Sequence, residues 1–214
     1  MATLQTAHRR PRTQRVPPQP VALQFLRTLA VIQQEIQVTT REGTSLTLSD
    51  GLRRAMEAIE TCAQSGHKLI FIGNGGSAAI ASHQAVDYWK NGGVEAIAFN
   101  DASLLTCIGN DYGYDQIFVQ PIRRFAKAGD CLMAISSSGQ SLNILQGVEA
   151  ARARGCEVVT FSGFESTNAL RSLGLLNFYV PSHTYGVVEV MHLGLLHAML
   201  DELMATKSAK AKTA

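Results

Sequence analysis

The chain has 214 residues, 46% of them hydrophobic. It has no apolar run near membrane-spanning length, which excludes a helical membrane protein and predicts one soluble domain with a sizeable core. The formal net charge is +2, but Arg9, Arg10, Arg12 and Arg15 at one end and Lys207, Lys210 and Lys212 at the other have no acid among them, so the body between is net acidic. A basic nucleic-acid face is therefore not expected, and neither is a nucleic-acid or membrane partner.

Residues 1–19, rich in Arg, Pro, Gln and Thr, read as a disordered basic tail. The pair Arg9-Arg10 is followed by neither an unbroken apolar stretch nor a small-residue cleavage site, so no export signal is expected and the cytoplasm is the expected compartment. Helical spacing of apolar residues predicts helices over 21–38 and 49–65. Strand-like runs then fall at 68–73, 95–99, 130–135, 156–161 and 175–180, alternating with helical stretches at 77–91, 114–127, 142–154 and 186–205. The last residues, 207–214, are low in complexity and read as a second disordered tail, leaving a single domain over 20–206. Such alternation predicts an α/β fold, a doubly wound five-stranded parallel sheet between two helical layers, preceded by N-terminal helices. Ligands of such sheets bind beyond the carboxyl ends of the strands.

Helix 21–38 carries Leu23, Leu26, Ala30 and Ile36 on overlapping faces, more than a peripheral helix needs, so it is expected to pack between subunits. Cys62, Cys107, Cys131 and Cys156 stand far apart without a Cys-x-x-Cys, which suits small core residues better than disulfides or a thiolate metal site.

Two loops carry chemistry. Ser136-Ser137-Ser138-Gly139-Gln140-Ser141 links a buried strand to a helix, with Ser141 at the helix N-cap, so hydroxyls and free backbone N–H groups converge where the helix dipole favours an anion. The alternative is a serine-rich turn whose hydroxyls only cap the helix, although one cap needs one serine. Gly73-Asn74-Gly75-Gly76-Ser77 also follows a strand and opens a helix, with glycines that allow close backbone approach. It has neither the Gly-x-Gly-x-x-Gly of dinucleotide folds nor the Gly-Lys-Ser/Thr of a P-loop, so no nucleotide is indicated. A purely structural turn is the alternative here.

His83 and Asp87 lie four residues apart on one helix, and Glu189 and His197 eight apart on another. Both pairs can converge on one point. Two imidazoles and two carboxylates suit either a divalent metal, zinc or manganese, or acid and base groups acting on a substrate held by the serine loop. His192 reads as a structural bystander, and His67 and His183 as surface or turn residues.

The ordered set Gly73-Asn74-Gly75-Gly76-Ser77-Ala78-Ala79, His83, Asn100-Asp101-Ala102-Ser103, Gly109-Asn110-Asp111-Tyr112-Gly113 and Ile135 to Ser141 resembles the sugar isomerase (SIS) domain family, and within it the phosphoheptose isomerases. The resemblance runs from about residue 21 to 205. It implies a flavodoxin-like three-layer fold and a homotetramer with active sites across subunit interfaces. It also implies an aldose-ketose isomerase that converts D-sedoheptulose 7-phosphate to D-glycero-D-manno-heptose 7-phosphate for surface polysaccharide. By motif, Ser77, Ser136, Ser138 and Ser141 resemble the phosphate binders, with Ser137 where the loop commonly has threonine, and Asn74 and Asp101 resemble sugar contacts. His197 falls at the catalytic histidine and His83 at a zinc ligand. Asp87 stands where the family has a glutamate acting as base and metal ligand, Glu189 where it has glutamine, and Gly186 where it has an aspartate near the sugar. The segment Asn91 to Glu95 is short and lacks the usual arginine. The catalytic set implied is Asp87, Glu189 and His197, and the metal set is His83, Asp87, Glu189 and His197. A SIS isomerase of another ketose phosphate and a non-catalytic SIS-fold regulator are the alternatives.

Overall fold

The computed structural model describes residues 20–213, with side chains through 209. The basic tail expected over 1–19 lies outside the described residues. The five predicted parallel strands are present as β3 (Leu69–Gly73), β4 (Ala96–Ala98), β5 (Cys131–Ser136), β6 (Glu157–Ser162) and β7 (Leu176–Tyr179). Two further strands, β1 (Gln37–Thr40) and β2 (Ser45–Leu46), precede them in sequence and extend the sheet to the order β2-β1-β7-β6-β5-β3-β4. β1 runs antiparallel to β7, with Val38 opposite Phe178, and antiparallel to β2.

β1 occupies the end of the stretch 21–38 expected to be helical. The helix there, α1 (Val21–Ile32), gives way to a 3-10 turn over Gln33–Glu35 and then to β1. β-branched Val38, Thr39 and Thr40 suit a ladder on the exposed edge of β7, and Val38 is buried against α2 (Leu48–Gln64), where Gly51 leaves no room for a Cβ beside its side chain. Thr47 caps α2 by accepting from the Asp50 N–H at 3.0 Å.

Alternating residues of the buried strands face opposite layers. Leu69 and Phe71 of β3 pack under α2, α3 (Gly76–Lys90) and α7 (Tyr185–Thr213). Ile70 and Ile72 pack under α4 (Ala102–Asp111), α5 (Val119–Phe125) and α6 (Leu142–Ala153). α4 was not foreseen, and the stretch 114–127 divides into a 3-10 turn at Tyr114–Gln116 and α5. α7 runs on through residues expected to be a tail, where Lys207 Nζ donates to the Gly92 carbonyl at 2.6 Å. The four cysteines are free thiols, buried at 62, 131 and 156, while Cys107 is exposed on α4. No helix among the described residues is long and apolar enough to cross a membrane.

Candidate active site

Three helices begin at one cleft. It measures about 240 Å³ and is lined by Asn74, Gly75, Gly76 and Ser77 at the start of α3, Ser136, Ser137, Ser138 and Ser141 leading into α6, and Tyr185 and Glu189 on the first turns of α7. Helix N-termini present unpaired N–H groups and the positive end of the helix dipole, so three of them bordering one cleft favour an anion there. A larger cleft, about 780 Å³ around Arg123 and Arg154 beside α5 and α6, contains none of the predicted residues. Convergent donors mark the smaller cleft more than size marks the larger.

Backbone geometry explains the glycines. Gly75 has φ 53, and a Cβ at Gly73 would collide with the Ser77 carbonyl. The two loops are tied together by a reciprocal amide pair: Asn74 Nδ2 donates to Asn143 Oδ1 at 2.9 Å, and Asn143 Nδ2 to Asn74 Oδ1 at 2.8 Å. The Tyr114 hydroxyl donates to the same Asn74 oxygen at 3.3 Å.

The serine hydroxyls are not spent on capping. Ser141 is the N-cap residue of α6, yet its side chain makes no cap bond. Ser136 Oγ accepts from the Gly139 N–H at 3.2 Å and Ser138 Oγ from the Gln140 N–H at 3.3 Å, so each keeps its own proton for another acceptor. Ser137 Oγ is buried with no partner among the described residues, a cost that an oxyanion in the cleft would relieve.

A second constellation lies further along the same two helices. α3 and α7 run side by side in one direction: Gly76 meets Glu189, the Tyr88 hydroxyl donates to the Leu196 carbonyl at 3.2 Å, and Gly92 meets Lys207. Between these contacts His83 Nε2 stands 3.1 Å from Asp87 Oδ2, and His197 Nδ1 stands 4.0 Å from the same oxygen. The rings of His83 and His197 meet edge to face at 5.4 Å. One donor atom from each of His83, Asp87 and His197 lies within 4.8 Å of the others, a two-imidazole, one-carboxylate set that suits zinc with an open position for substrate.

Glu189 is not part of that group. Its carboxylate rests on Gly76 and faces the cleft instead. Asp101 also departs from its expected place: it caps α4, accepting from the Leu104 N–H at 3.0 Å, and is not among the cleft residues. His192 is fully buried with Nε2 3.1 Å from the Ser162 carbonyl, and burial pushes its pKa down to about 4, as befits a structural histidine. Tyr185 was not foreseen. Its only sequence signal is that it stands four residues before Glu189, on the same helical face.

The assembly is thus an α/β protein with an anion-receptive cleft at the carboxyl ends of its parallel strands. A family model described as SIS domain matches residues 34–163. Among known proteins, the chain is similar to a phosphoheptose isomerase of Geobacter sp. (strain M21), 36% identical over 160 residues that cover 72% of this chain and 83% of that protein. It is also similar to one from Shewanella sp. (strain ANA-3), 33% identical over 177 residues, covering 79% and 90%. Among solved structures, phosphoheptose isomerase GmhA from Neisseria gonorrhoeae superposes with a TM-score of 0.72 at 33% identity, covering 86% of this chain and 97% of that one. A phosphoheptose isomerase from Francisella tularensis gives a TM-score of 0.75 at 27% identity, covering 86% and 96%. The chain belongs to the SIS domain family, and it is an aldose-ketose isomerase of sugar phosphates.

Proposed function

We propose that the protein interconverts D-sedoheptulose 7-phosphate and D-glycero-D-manno-heptose 7-phosphate, with the phosphate in the three-helix cleft and the reacting carbons toward the His83, Asp87 and His197 group. The observation that carries this reading is the pairing of the unspent serine donors leading into α6, which share one cleft with the first turns of α3 and α7, with the imidazole and carboxylate group further along α3 and α7. The names of the relatives at 33 to 36% identity support the heptose substrate.

Isomerisation of an aldose and a ketose needs a base for the proton beside the carbonyl, an acid for the enediolate oxygen and a fixed phosphate. Ser77, Ser136, Ser137, Ser138 and Ser141 hold the phosphate, with Asn74 fixing the glycine loop against α6. Asp101, on the α4 cap, stays the sugar-side contact of this reading. Glu189 faces the phosphate cleft and lies outside the metal group, so Asp87, whose Oδ2 is 4.0 Å from His197 Nδ1, is the carboxylate placed to take the carbon-bound proton. His197 gives a proton to the oxygen, its ring held near Asp87. His83, Asp87 and His197 would hold a divalent ion, and zinc there supplies polarisation of the substrate carbonyl.

Half of the His83 side chain is open to solvent. Val21, Leu26 and Val31 on α1 and Trp89 on α3 are exposed as well, more apolar surface than a free helix face carries. A homotetramer that covers these faces completes the site.

The test is incubation of the purified protein with a panel of ketose phosphates, with and without zinc, products being followed by mass spectrometry and NMR. Turnover of the heptulose phosphate above all others is the expected result, and preference for a different ketose phosphate overturns the assignment. Ser138→Ala, in a calorimetric titration, should weaken sugar-phosphate binding at least tenfold, as expected for loss of a charge-assisted bond.

A further inference from the structure

We propose that the Tyr185 hydroxyl is a donor to the bound substrate phosphate, and that the Phe164 backbone is held in a left-handed conformation to keep the Tyr185 ring over the cleft. The proposal rests on the reading of that cleft as the phosphate site. Tyr185 is the first residue of α7 and lines the cleft with the glycine loop and the serines. It stands one turn before Glu189, which lines the same cleft. The phenol is 63% exposed and its hydroxyl makes no hydrogen bond among the described residues, so its proton is free. A phenol is more acidic than a serine hydroxyl and is a stronger donor to a phosphate oxygen.

The ring does not hang freely. It meets the Phe164 ring edge to face, with ring centroids 4.8 Å apart and the planes at 79°. Phe164, at φ 57, is the one non-glycine residue with positive φ among the described residues, an uncommon conformation for a bulky side chain. Its backbone is pinned on both sides: the Phe164 N–H donates to the Ser182 carbonyl at 3.0 Å, and the Tyr179 hydroxyl donates to the Phe164 carbonyl at 2.7 Å. The Phe164 ring also stacks on His183 at 5.9 Å and packs against the buried cluster of Ile32, Val180, Val187 and Val188. Strain held by surrounding bonds at the rim of a cleft is the arrangement expected where a side chain must be kept in place.

The experiment titrates inorganic phosphate into the full-length wild-type protein, Tyr185→Phe, Ser138→Ala, Phe164→Gly and Phe164→Tyr by calorimetry. Tyr185→Phe should bind phosphate about tenfold more weakly with an unchanged Tm, and its KM for the sugar phosphate should rise by the same factor with kcat retained. Phe164→Gly should weaken phosphate binding several-fold, and Phe164→Tyr, which keeps an aromatic face, should restore it. Wild-type affinity in Tyr185→Phe beside weakened Ser138→Ala overturns the role of Tyr185. Wild-type affinity in Phe164→Gly overturns the role of Phe164. Wild-type affinity in both Tyr185→Phe and Ser138→Ala overturns the phosphate cleft itself, so the two failures are told apart.

Discussion

The Glu189 carboxylate lies on the backbone of Gly76, in the space a side chain at residue 76 would fill. A negative group thus stands in a cleft otherwise built of donors. Glu189→Gln removes that charge without changing shape, so inorganic phosphate should bind several-fold more tightly while turnover stays within about twofold, since Asp87 and not Glu189 stands beside His197. Calorimetry and steady-state kinetics on the one variant check both. A loss of turnover of tenfold or more would make Glu189 the base instead.

Two glycine substitutions in the same loop should behave differently. In Gly76→Ala the new methyl displaces the flexible head of Glu189, so stability should change by no more than about 1 kcal/mol. In Gly73→Ala the methyl meets the Ser77 carbonyl, which cannot step aside, and a loss of about 2 to 3 kcal/mol is expected. Urea unfolding of the pair measures the contrast.

Zinc affinity should follow the three-residue group. Asp87→Asn or His197→Ala should lower it at least tenfold, read by competition with a chromogenic chelator, whereas Glu189→Gln should leave it within about twofold. His197→Ala should also abolish turnover with phosphate affinity intact, since the serines lie at the other end of the helices.

Acid should lower the stability of the protein in two stages. Burial holds the His192 pKa at about 4 against an ordinary 6.5, so the unfolded chain takes up a proton there that the native state refuses, and stability is lost as pH falls from 6.5 toward 4. The full difference corresponds to about 3 kcal/mol. Asp130 acts at lower pH. Burial alone would raise its pKa, but the Lys68 ammonium at 2.6 Å and the backbone N–H groups of Lys127 and Lys68 outweigh this and hold it below the ordinary 3.8. Its contribution is present above 3.8 and lost below. Chemical denaturation across pH 3 to 7 traces both stages, and a His192 imidazole that titrates near 6.5 by NMR would remove the first.

The solution mass should exceed that of one 23.1 kDa chain at micromolar concentration, with a tetramer expected. Light scattering decides this. Replacing Leu26 and Val31 on α1 by serine should shift the mass downward.

The five parallel strands were legible because each is a short apolar run bounded by turn residues, and the serine and glycine loops because hydroxyls and glycines were concentrated at strand ends. β1 was not, since its four residues follow an apolar helical stretch without a break, and only pairing with β7 makes them a strand. α4 buries one apolar side chain, Ile108, too little for a periodic signal. The pairing of His83 with Asp87 followed from one turn of helix. Glu189 and His197 share a helical face, but eight residues span about 12 Å along the axis, so angular agreement did not bring them to one point. Asp101 carried a motif position and took a helix cap, a choice that depends on where α4 begins.

On the reading proposed above, Ser77 and His83 stand on one rod, α3, and Tyr185 and His197 on a second, α7, so this part of the site acts as a caliper. From Ser77 to His83 is six residues, about 9 Å of helical rise, and no loop motion can change it. On that reading, a shorter or longer sugar phosphate is not fitted by changing the spacing of Ser77 and His83 alone. It requires a reactive group to jump a whole turn, about 5.4 Å, or the two rods to slide past the Tyr88 contact with Leu196 that sets their stagger. On that reading the reach along α3 and α7 is set by helical rise, while the Ser136–Ser141 loop sets where the phosphate sits between them.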